Sequence, residues 1–416
     1  MKERISMIVL VLATCTAGPV KEQVQGGGTV QEKRPHADKL LPLPIPTGLN
    51  PVGTTVLHLT DESRRDVVSK NPGEFREIMV QVWYPSASKS GPRTPYLPDP
   101  SLLRTMMTRG YYGQDASTLA QWRDIRTHSV WNAPVQPGHR FPLILFSPGL
   151  GITRSNYTAF AEELASHGFV VAGIDSPYLG LTVLPNGRVL SVSDDPSNES
   201  EDEGVISTHL ALYVSDAAFV VRELEHPRGE SPVNLSKAIA GEKIGMFGHS
   251  LGGAAALETC RAHLRFSACA DLDGAPFGRV LHEGARKPTL LLLESPDYTD
   301  ADLAAKGRTR EQWEAMGRKN NSLWAALGVN RGVPVYKVKI RGTGHLSFSD
   351  APFVMPSTIT EFGGRILDAQ TTFNRITTYL LAFFDQYLRG KASVLLTRPT
   401  SPYAEVTFER LGAGSN

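Results

Sequence analysis

Short apolar runs alternate with amphipathic stretches along most of the chain. The runs predict buried strands, because each is too short for a stable helix and holds mostly consecutive apolar residues. They cover residues 78–84, 141–146, 169–174, 244–247, 268–272, 289–293 and 335–340. Amphipathic spacing predicts helices at residues 157–167, 207–225, 254–263 and 372–388. Because strands that alternate with helices indicate right-handed crossovers, the predicted class is α/β, with a mostly parallel central sheet and helices on both faces.

The predicted elements fit a single domain over residues 51–400. The segment before it, residues 16–50, is polar and then rich in proline, and it has no periodicity. We therefore expect this segment to be a disordered, proline-rich tether. The last segment, residues 401–416, is expected to be a C-terminal tail.

The chain begins with the features of an export signal. A basic start precedes the apolar run of residues 5–13, which is too short to span a bilayer as a stable helix. We therefore expect residues 1–15 to be a signal peptide and the protein to be exported. Leu12 to Cys15 resembles the lipobox of bacterial lipoproteins, so a bacterial protein would be secreted, periplasmic or anchored by lipid on Cys15. The alternative is an apolar N-terminal arm of a cytosolic protein.

Charge and cysteine content exclude some classes and leave others open. Lys and Arg number 43 against 42 Asp and Glu, a balance that argues against a nucleic-acid partner. No glycine-rich dinucleotide loop or phosphate loop occurs, and we expect no cofactor and no metal. Besides Cys15, the cysteines are Cys260 and Cys269, which either form one disulfide or remain two buried thiols.

One pentapeptide carries a nucleophile signature. Gly248-His249-Ser250-Leu251-Gly252 matches G-x-S-x-G, the sharp strand-to-helix turn that exposes a serine above the sheet in α/β hydrolases. An apolar strand precedes it and a small-residue helix follows, which is the context that the turn requires. The sequence therefore predicts Ser250 as a nucleophile in an α/β-hydrolase fold.

A serine nucleophile needs a histidine base and a carboxylate that orients it. In this fold class the order along the chain is Ser, acid, His, and only His263, His282 and His345 follow Ser250. His345 lies in a glycine-rich loop directly after the last predicted strand, so we expect it to be the base.

The acid is not decided by this order. Asp273 ends the strand after the elbow helix, with Asp271 two residues earlier, whereas Glu294 and Asp297 follow the next strand. Carboxylates at the ends of both strands could reach the imidazole, so the choice stays open at this point.

Several short motifs together resemble the plasma-type platelet-activating factor acetylhydrolases and their bacterial relatives over roughly residues 75–390. They are Gln81 to Pro85, Phe146 to Gly151, Gly248 to Gly253, Leu272 to Gly274 and Gly342 to His345. The resemblance implies a calcium-independent serine esterase that hydrolyses phospholipids with a short or oxidised sn-2 acyl chain.

The same resemblance implies roles for particular residues. It implies that Asp273 is the acid, with Asp297 in reserve, and that Ser250 and His345 complete the triad. The family's oxyanion donors match the backbone N–H groups of two residues, Leu150 and Leu251.

Two alternatives remain beside the hypothesis of a phospholipid-hydrolysing serine esterase. One keeps the chemistry and changes the substrate, to that of a general carboxylesterase, lipase or polyester hydrolase. The other is a non-catalytic binding protein with an α/β-hydrolase fold. The expected partner is a small-molecule or lipid ester, association with a membrane surface is one mode of access, and the sequence does not fix the oligomeric state.

Overall fold

The structure is a computed structural model. It describes residues 40–412 except 110, 112, 113, 115, 196–202, 230, 275, 331 and 357–366. Its strands are β1 (Val52–Arg65), β2 (Phe75–Pro85), β3 (Arg93–Pro95), β4 (Arg126–Trp131), β5 (Phe141–Ser147), β6 (Val170–Asp175), β7 (Thr182–Val183), β8 (Val189–Leu190), β9 (Ile239–His249), β10 (Phe266–Leu272), β11 (Thr289–Ser295), β12 (Val335–Arg341) and β13 (Val406–Leu411). Its helices are α1 (Pro100–Arg109), α2 (Ala116–Gln121), α3 (Thr158–Ser166), α4 (Glu203–Glu225), α5 (Leu251–Ala262), α6 (Val280–Glu283), α7 (Asp300–Ala305), α8 (Arg310–Ala325), α9 (Ala351–Val354), α10 (Ala369–Arg389) and α11 (Val394–Thr397).

The large sheet has the strand order β13-β12-β11-β10-β9-β5-β6-β2-β1-β4-β3, and β7 and β8 form a separate small hairpin. The strands from β12 to β6 in this order run parallel, whereas β2 and β13 pair antiparallel with the parallel block. Each predicted apolar run lies in one of these strands, except that the run of residues 169–174 begins one residue before β6. The structure thus confirms the predicted α/β class with a mostly parallel sheet.

Alternate residues of the central strands feed two apolar cores, one on each face of the sheet. In β5, Ile144 and Phe146 belong to the core beneath α3 and α10, and Leu143 and Leu145 belong to the core beneath α4 and α5. Strands buried on both faces read as continuous apolar runs, which is why the sequence revealed them. This arrangement places the carboxyl ends of β5, β9, β10, β11 and β12 along one edge, where the loops gather.

The N-terminal boundary of the domain differs from the expectation of a tether over residues 16–50. Leu43 is buried in the apolar core, and the Thr47 backbone N–H and hydroxyl both bind the Glu163 carboxylate of α3. The domain therefore begins near residue 40, because these residues gain tertiary contacts that composition does not reveal. The predicted signal peptide and the first part of the tether lie outside the described residues.

The predicted C-terminal tail, residues 401–416, is also wrong in part. Residues 406–411 form β13, which pairs with residues 335–340 of β12 and closes that edge of the sheet. Val406 and Phe408 point into the core, and Phe408 stacks on Tyr336 at 5.9 Å between ring centroids. A short strand with only alternate residues buried gives little sequence signal, so the domain extends to about residue 411.

A disulfide joins Cys260 to Cys269, which settles the open question of the two cysteines. Cys260 lies in the last turn of α5 and Cys269 lies in β10, so the bond fastens the helix to the strand that follows it.

Among the described residues, one helix is long and apolar enough to cross a membrane by length and composition, namely α4. Its apolar window is 56% buried within the fold, and residues such as Phe219 and Val220 belong to the core. We therefore describe α4 as a core helix of this domain.

Candidate active site

The turn between β9 and α5 holds Ser250 in a strained backbone conformation, with φ 56° and ψ −127°. The turn needs glycine on both sides. A β-carbon on Gly248 would lie 2.0 Å from the carbonyl oxygen of Gly252, and one on Gly252 would lie 2.3 Å from that of Ser147. Any larger residue would collide with backbone. The G-x-S-x-G pattern is therefore a steric requirement of this turn, which presents the serine at the carboxyl edge of the sheet.

His345 and Asp273 are brought together from separate strands. Asp273 follows β10 and His345 begins a 3₁₀ turn, residues 345–348, after β12. The imidazole Nδ1 lies 2.6 Å from Asp273 Oδ2, and Asp273 Oδ1 accepts the backbone N–H of Glu294 at 2.8 Å. Because a carboxylate only accepts hydrogen bonds, Nδ1 carries the proton and Nε2 presents a lone pair. Nε2 is buried and has no hydrogen-bond partner within the described part of the chain.

The other candidate acids occupy different positions. Asp297 is exposed, and no hydrogen bond or ion pair joins it to His345 among the residues that the structure describes. Asp271 is fully buried beneath the elbow, and its Oδ1 accepts the backbone N–H of Gly274 at 2.6 Å. Burial raises the pKa of the Asp271 carboxyl well above its usual value. The structure thus brings Asp273, and neither alternative, to the imidazole.

Glu294, another of the candidate acids, lies beside Asp273 and His345 and contacts both. Its backbone binds Asp273, and its carboxylate accepts the backbone N–H of His345. Burial first, and the charge of Asp273 second, raise the pKa of Glu294 well above the usual value of a carboxyl group. The raised pKa favours the protonated form of Glu294, whose carboxyl group supports the loop of His345.

The backbone groups expected to bind an oxyanion belong to two residues near the serine, Leu150 and Leu251. Leu251 is the first residue of α5, where backbone N–H groups have no partner inside the helix. Leu150, in the loop after β5, belongs with Leu251 to the same apolar cluster. A β-carbon on Gly149 would lie 3.1 Å from the Ser250 β-carbon, so this loop passes directly over Ser250.

That loop is fastened at both ends. The Tyr213 hydroxyl donates to the carbonyl oxygen of Pro148 at 3.3 Å, and the Gly151 N–H donates to the carbonyl of Leu179 at 2.8 Å. Beyond it, the Arg154 guanidinium forms a buried ion pair with Asp175 at the end of β6. Amides fixed before reaction are what stabilisation of an oxyanion requires.

A cavity of about 180 Å³ opens on the far side of the acid. Its lining includes Asp273, Glu294, Trp313, Met316, Asn320 and Lys339, but not Ser250. It therefore adjoins Asp273 and lies between α8 and the ends of β11 and β12. Within the described ranges, no group of three or more His, Cys, Asp or Glu side chains could hold a metal ion.

Comparison with known proteins gives a consistent result. The family model described as platelet-activating factor acetylhydrolase, isoform II, matches residues 43–176 and 232–393. A probable 1-alkyl-2-acetylglycerophosphocholine esterase from Arthroderma benhamiae is 28% identical over 389 residues, which are 88% of this chain and 93% of that protein. A platelet-activating factor acetylhydrolase from Cavia porcellus is 24% identical over 341 residues, 74% of this chain and 72% of that protein.

A solved structure also matches. It is a ferulic acid esterase from Streptomyces cinnamoneus, 32% identical, with a TM-score of 0.69 over 89% of this chain and 99% of that chain. The α/β-hydrolase fold expected from the elbow is confirmed by this likeness. The chain belongs to the platelet-activating factor acetylhydrolase, isoform II, family and is a carboxylic ester hydrolase.

Proposed function

We propose that the protein hydrolyses esters through an acyl-enzyme on Ser250, with His345 as base and Asp273 as the acid that orients it. The observation that carries this proposal is the 2.6 Å contact between Asp273 Oδ2 and His345 Nδ1, which fixes the tautomer with a lone pair on Nε2. Three strands of one sheet edge supply the three groups in the order that the fold class uses.

The proposed steps use these groups in turn. Nε2 of His345 takes the hydroxyl proton as Ser250 Oγ attacks the ester carbonyl, and the N–H groups of Leu150 and Leu251 stabilise the oxyanion. The imidazolium then protonates the leaving alcohol, which leaves an acyl-serine. Water, deprotonated by His345, releases the acid and restores the hydroxyl. No metal takes part in these steps.

We expect Ser250→Ala to abolish ester hydrolysis and to leave the fold intact, because only the nucleophile is removed. The measurement is hydrolysis of nitrophenyl acetate by the wild type and the variant, with the unfolding midpoint of both. A fluorophosphonate probe should label the wild type alone. Retained turnover in the variant would reject the serine mechanism, and failure of the folded wild type to react would favour a non-catalytic binding protein.

The substrate class that the relatives support best is a phospholipid with a short or oxidised sn-2 acyl chain. The support is family membership and the fungal relative, whose name specifies a 2-acetylglycerophosphocholine and which aligns over 93% of its length. Hydrolysis of an sn-2 acetyl phospholipid in micelles, with a chelator present, tests both the substrate and the independence from calcium. Such an enzyme meets its substrate at a lipid surface, so the rate should rise where micelles form.

A simpler ester is the second candidate, since the solved neighbour with 32% identity is a ferulic acid esterase. The same assay should therefore include nitrophenyl butyrate and methyl ferulate. Preference for these soluble esters over the phospholipid would assign the protein to the general carboxylesterases.

Export is supported by a feature far from the N-terminus. The disulfide between Cys260 and Cys269 is typical of proteins that fold in an oxidising compartment. Cell fractionation with mass spectrometry of the mature N-terminus tests this proposal. Cleavage that leaves Cys15 as a lipidated first residue would identify a lipoprotein, and an intact cytosolic chain would reject export.

A further inference from the structure

The residue before the nucleophile, His249, connects two parts of the site that belong to different loops. Its ring lies 4.4 Å from the ring of His345, and its Nε2 lies 3.0 Å from the backbone carbonyl oxygen of His345. On its other side, Nδ1 lies 2.7 Å from the hydroxyl oxygen of Tyr157. That hydroxyl accepts the backbone N–H of Gly149 at 3.3 Å.

In each of these three hydrogen bonds, which link Gly149, Tyr157, His249 and His345, the donor and the acceptor are fixed. A carbonyl oxygen only accepts, so His249 Nε2 must carry a hydrogen. Burial holds the pKa of His249 well below its usual value, so the ring is neutral and Nδ1 accepts. Tyr157 then donates its hydrogen to Nδ1 and uses a lone pair for Gly149, and burial raises the pKa of its hydroxyl so that this hydrogen is retained.

His249 and Tyr157 together form a hydrogen-bonded bridge between the two loops, and this bridge is also tightly packed. Both His249 and Tyr157 are 0% exposed, and the Tyr157 ring packs on Phe146 at 4.4 Å between centroids. A β-carbon on Gly149 would come within 3.3 Å of His249 Nδ1, so the loop after β5 lies against the imidazole. The bridge is therefore a continuous, buried polar path from the loop of His345 to the loop of Leu150.

We propose that His249 and Tyr157 are positioning residues that fix the loop of the base relative to the loop of the oxyanion donor. The inference rests on the proposed function, because it assigns the bridge to the reaction at Ser250. Proton removal from the serine and charge growth on the ester oxygen occur in one step. Their partners must therefore keep a separation that is set before substrate binds, and misplacement by 1 Å is costly.

The first test compares two buried tyrosine hydroxyls. Tyr157→Phe removes the middle of the bridge, whereas Tyr84→Phe removes an equally buried hydroxyl that donates to the Ala133 carbonyl at 2.8 Å, remote from the site. The readouts are kcat and KM for nitrophenyl acetate, per active site titrated with a fluorophosphonate. We expect kcat of Tyr157→Phe to fall about 10- to 100-fold with KM near that of wild type, and kcat of Tyr84→Phe to stay unchanged.

The second test asks whether hydrogen bonding or packing matters at His249. His249→Gln keeps an N–H donor at the ε position, and His249→Leu fills similar space without one. We expect Gln to retain more of the wild-type kcat than Leu, at comparable unfolding midpoints.

The outcomes separate the two proposals. Unchanged kcat per titrated site in Tyr157→Phe, or equal kcat in the Gln and Leu variants, overturns the positioning role and leaves the serine mechanism intact. Turnover that survives Ser250→Ala overturns the proposed function itself.

Discussion

At the scale of single residues, backbone strain is concentrated at the site. Among the described residues other than glycine, positive φ occurs at Asn132, Tyr178, Ser250 and Asp273, so the proposed nucleophile and acid are two of the four. Such conformations cost about 1–3 kcal/mol each and persist where surrounding structure enforces them. The turn at Asp273 presents its carboxylate to His345 Nδ1, and the turn at Ser250 places that serine at the same edge of the sheet.

This strain explains which site residues the sequence could identify. The serine turn demands small residues at fixed positions, so its pattern is visible in Gly248 and Gly252. The turn at Asp273, with φ 50°, has no such pattern, and the ends of two adjacent strands offered carboxylates. The strand pattern alone left Asp273 and Asp297 open, the family resemblance favoured Asp273, and the direction of the chain after β10 brings Asp273 to the imidazole.

Asp273→Asn should lower kcat by about 10²- to 10⁴-fold, because an amide no longer selects the tautomer with Nε2 unprotonated. Asp297→Asn is the matched control, since Asp297 is exposed and should leave kcat at the wild-type level. Steady-state hydrolysis of nitrophenyl acetate at several pH values measures both. Loss of activity in the Asp297 variant alone would exchange the two assignments.

At the scale of elements, the loop of His345 is anchored to α3 by a buried carboxyl. Asp350 follows the 3₁₀ turn, and its oxygens accept the N–H of Ala159 in the first turn of α3 at 3.2 and 3.3 Å. Burial raises the pKa of Asp350 to about 8, with a further contribution from the charge of Glu162. The folded protein therefore binds a proton at Asp350 that the unfolded chain releases near pH 4.

The raised pKa of Asp350 makes the stability of the folded protein decrease as the pH rises. Since the folded pKa is raised, the contribution of Asp350 to stability is full below the unfolded pKa and is lost as pH rises toward about 8. Asp350→Asn cannot titrate, so its stability relative to wild type should increase by about 1.4 kcal/mol per pH unit between pH 5 and 8. Urea unfolding of both proteins across this range measures it. A constant difference would show that Asp350 is ionised throughout.

The disulfide that joins α5 to β10 should contribute measurably to stability. The bond between Cys260 and Cys269 closes a short loop, with a sequence separation of 9. Replacing both cysteines by alanine should lower the free energy of unfolding by about 2–3 kcal/mol. Denaturant unfolding of the double variant and the oxidised wild type measures this difference. Equal stabilities, or free thiols in the wild type after denaturation, would contradict the prediction.

At the scale of the whole molecule, the centre of the sheet was predictable and its edges were not. The inner strands are buried on both faces, so composition alone marks them. β1 carries polar residues along half its length and is only partly buried there, and β13 acquires its identity from pairing with β12. Edge strands depend on contacts with distant residues, and a local pattern does not contain that information.

Truncation tests the corrected boundary. A chain that ends at residue 400 lacks β13 and exposes the edge of β12, the strand that leads into His345. We expect it to aggregate or to be inactive, because an unpaired inner strand is a template for association. A chain that ends at residue 412 should match the full protein in solubility and kcat. Full activity in the shorter chain would show that β13 is dispensable.

The position of β13 also orders events during synthesis. Domains assemble from the N-terminus as the ribosome works, and here the partner of β12 is made after every other strand of the sheet. The turns that hold Ser250 and Asp273 can therefore form on a growing chain in which His345 still follows a strand with an open edge. We therefore expect ester hydrolysis to begin only after translation has passed residue 411.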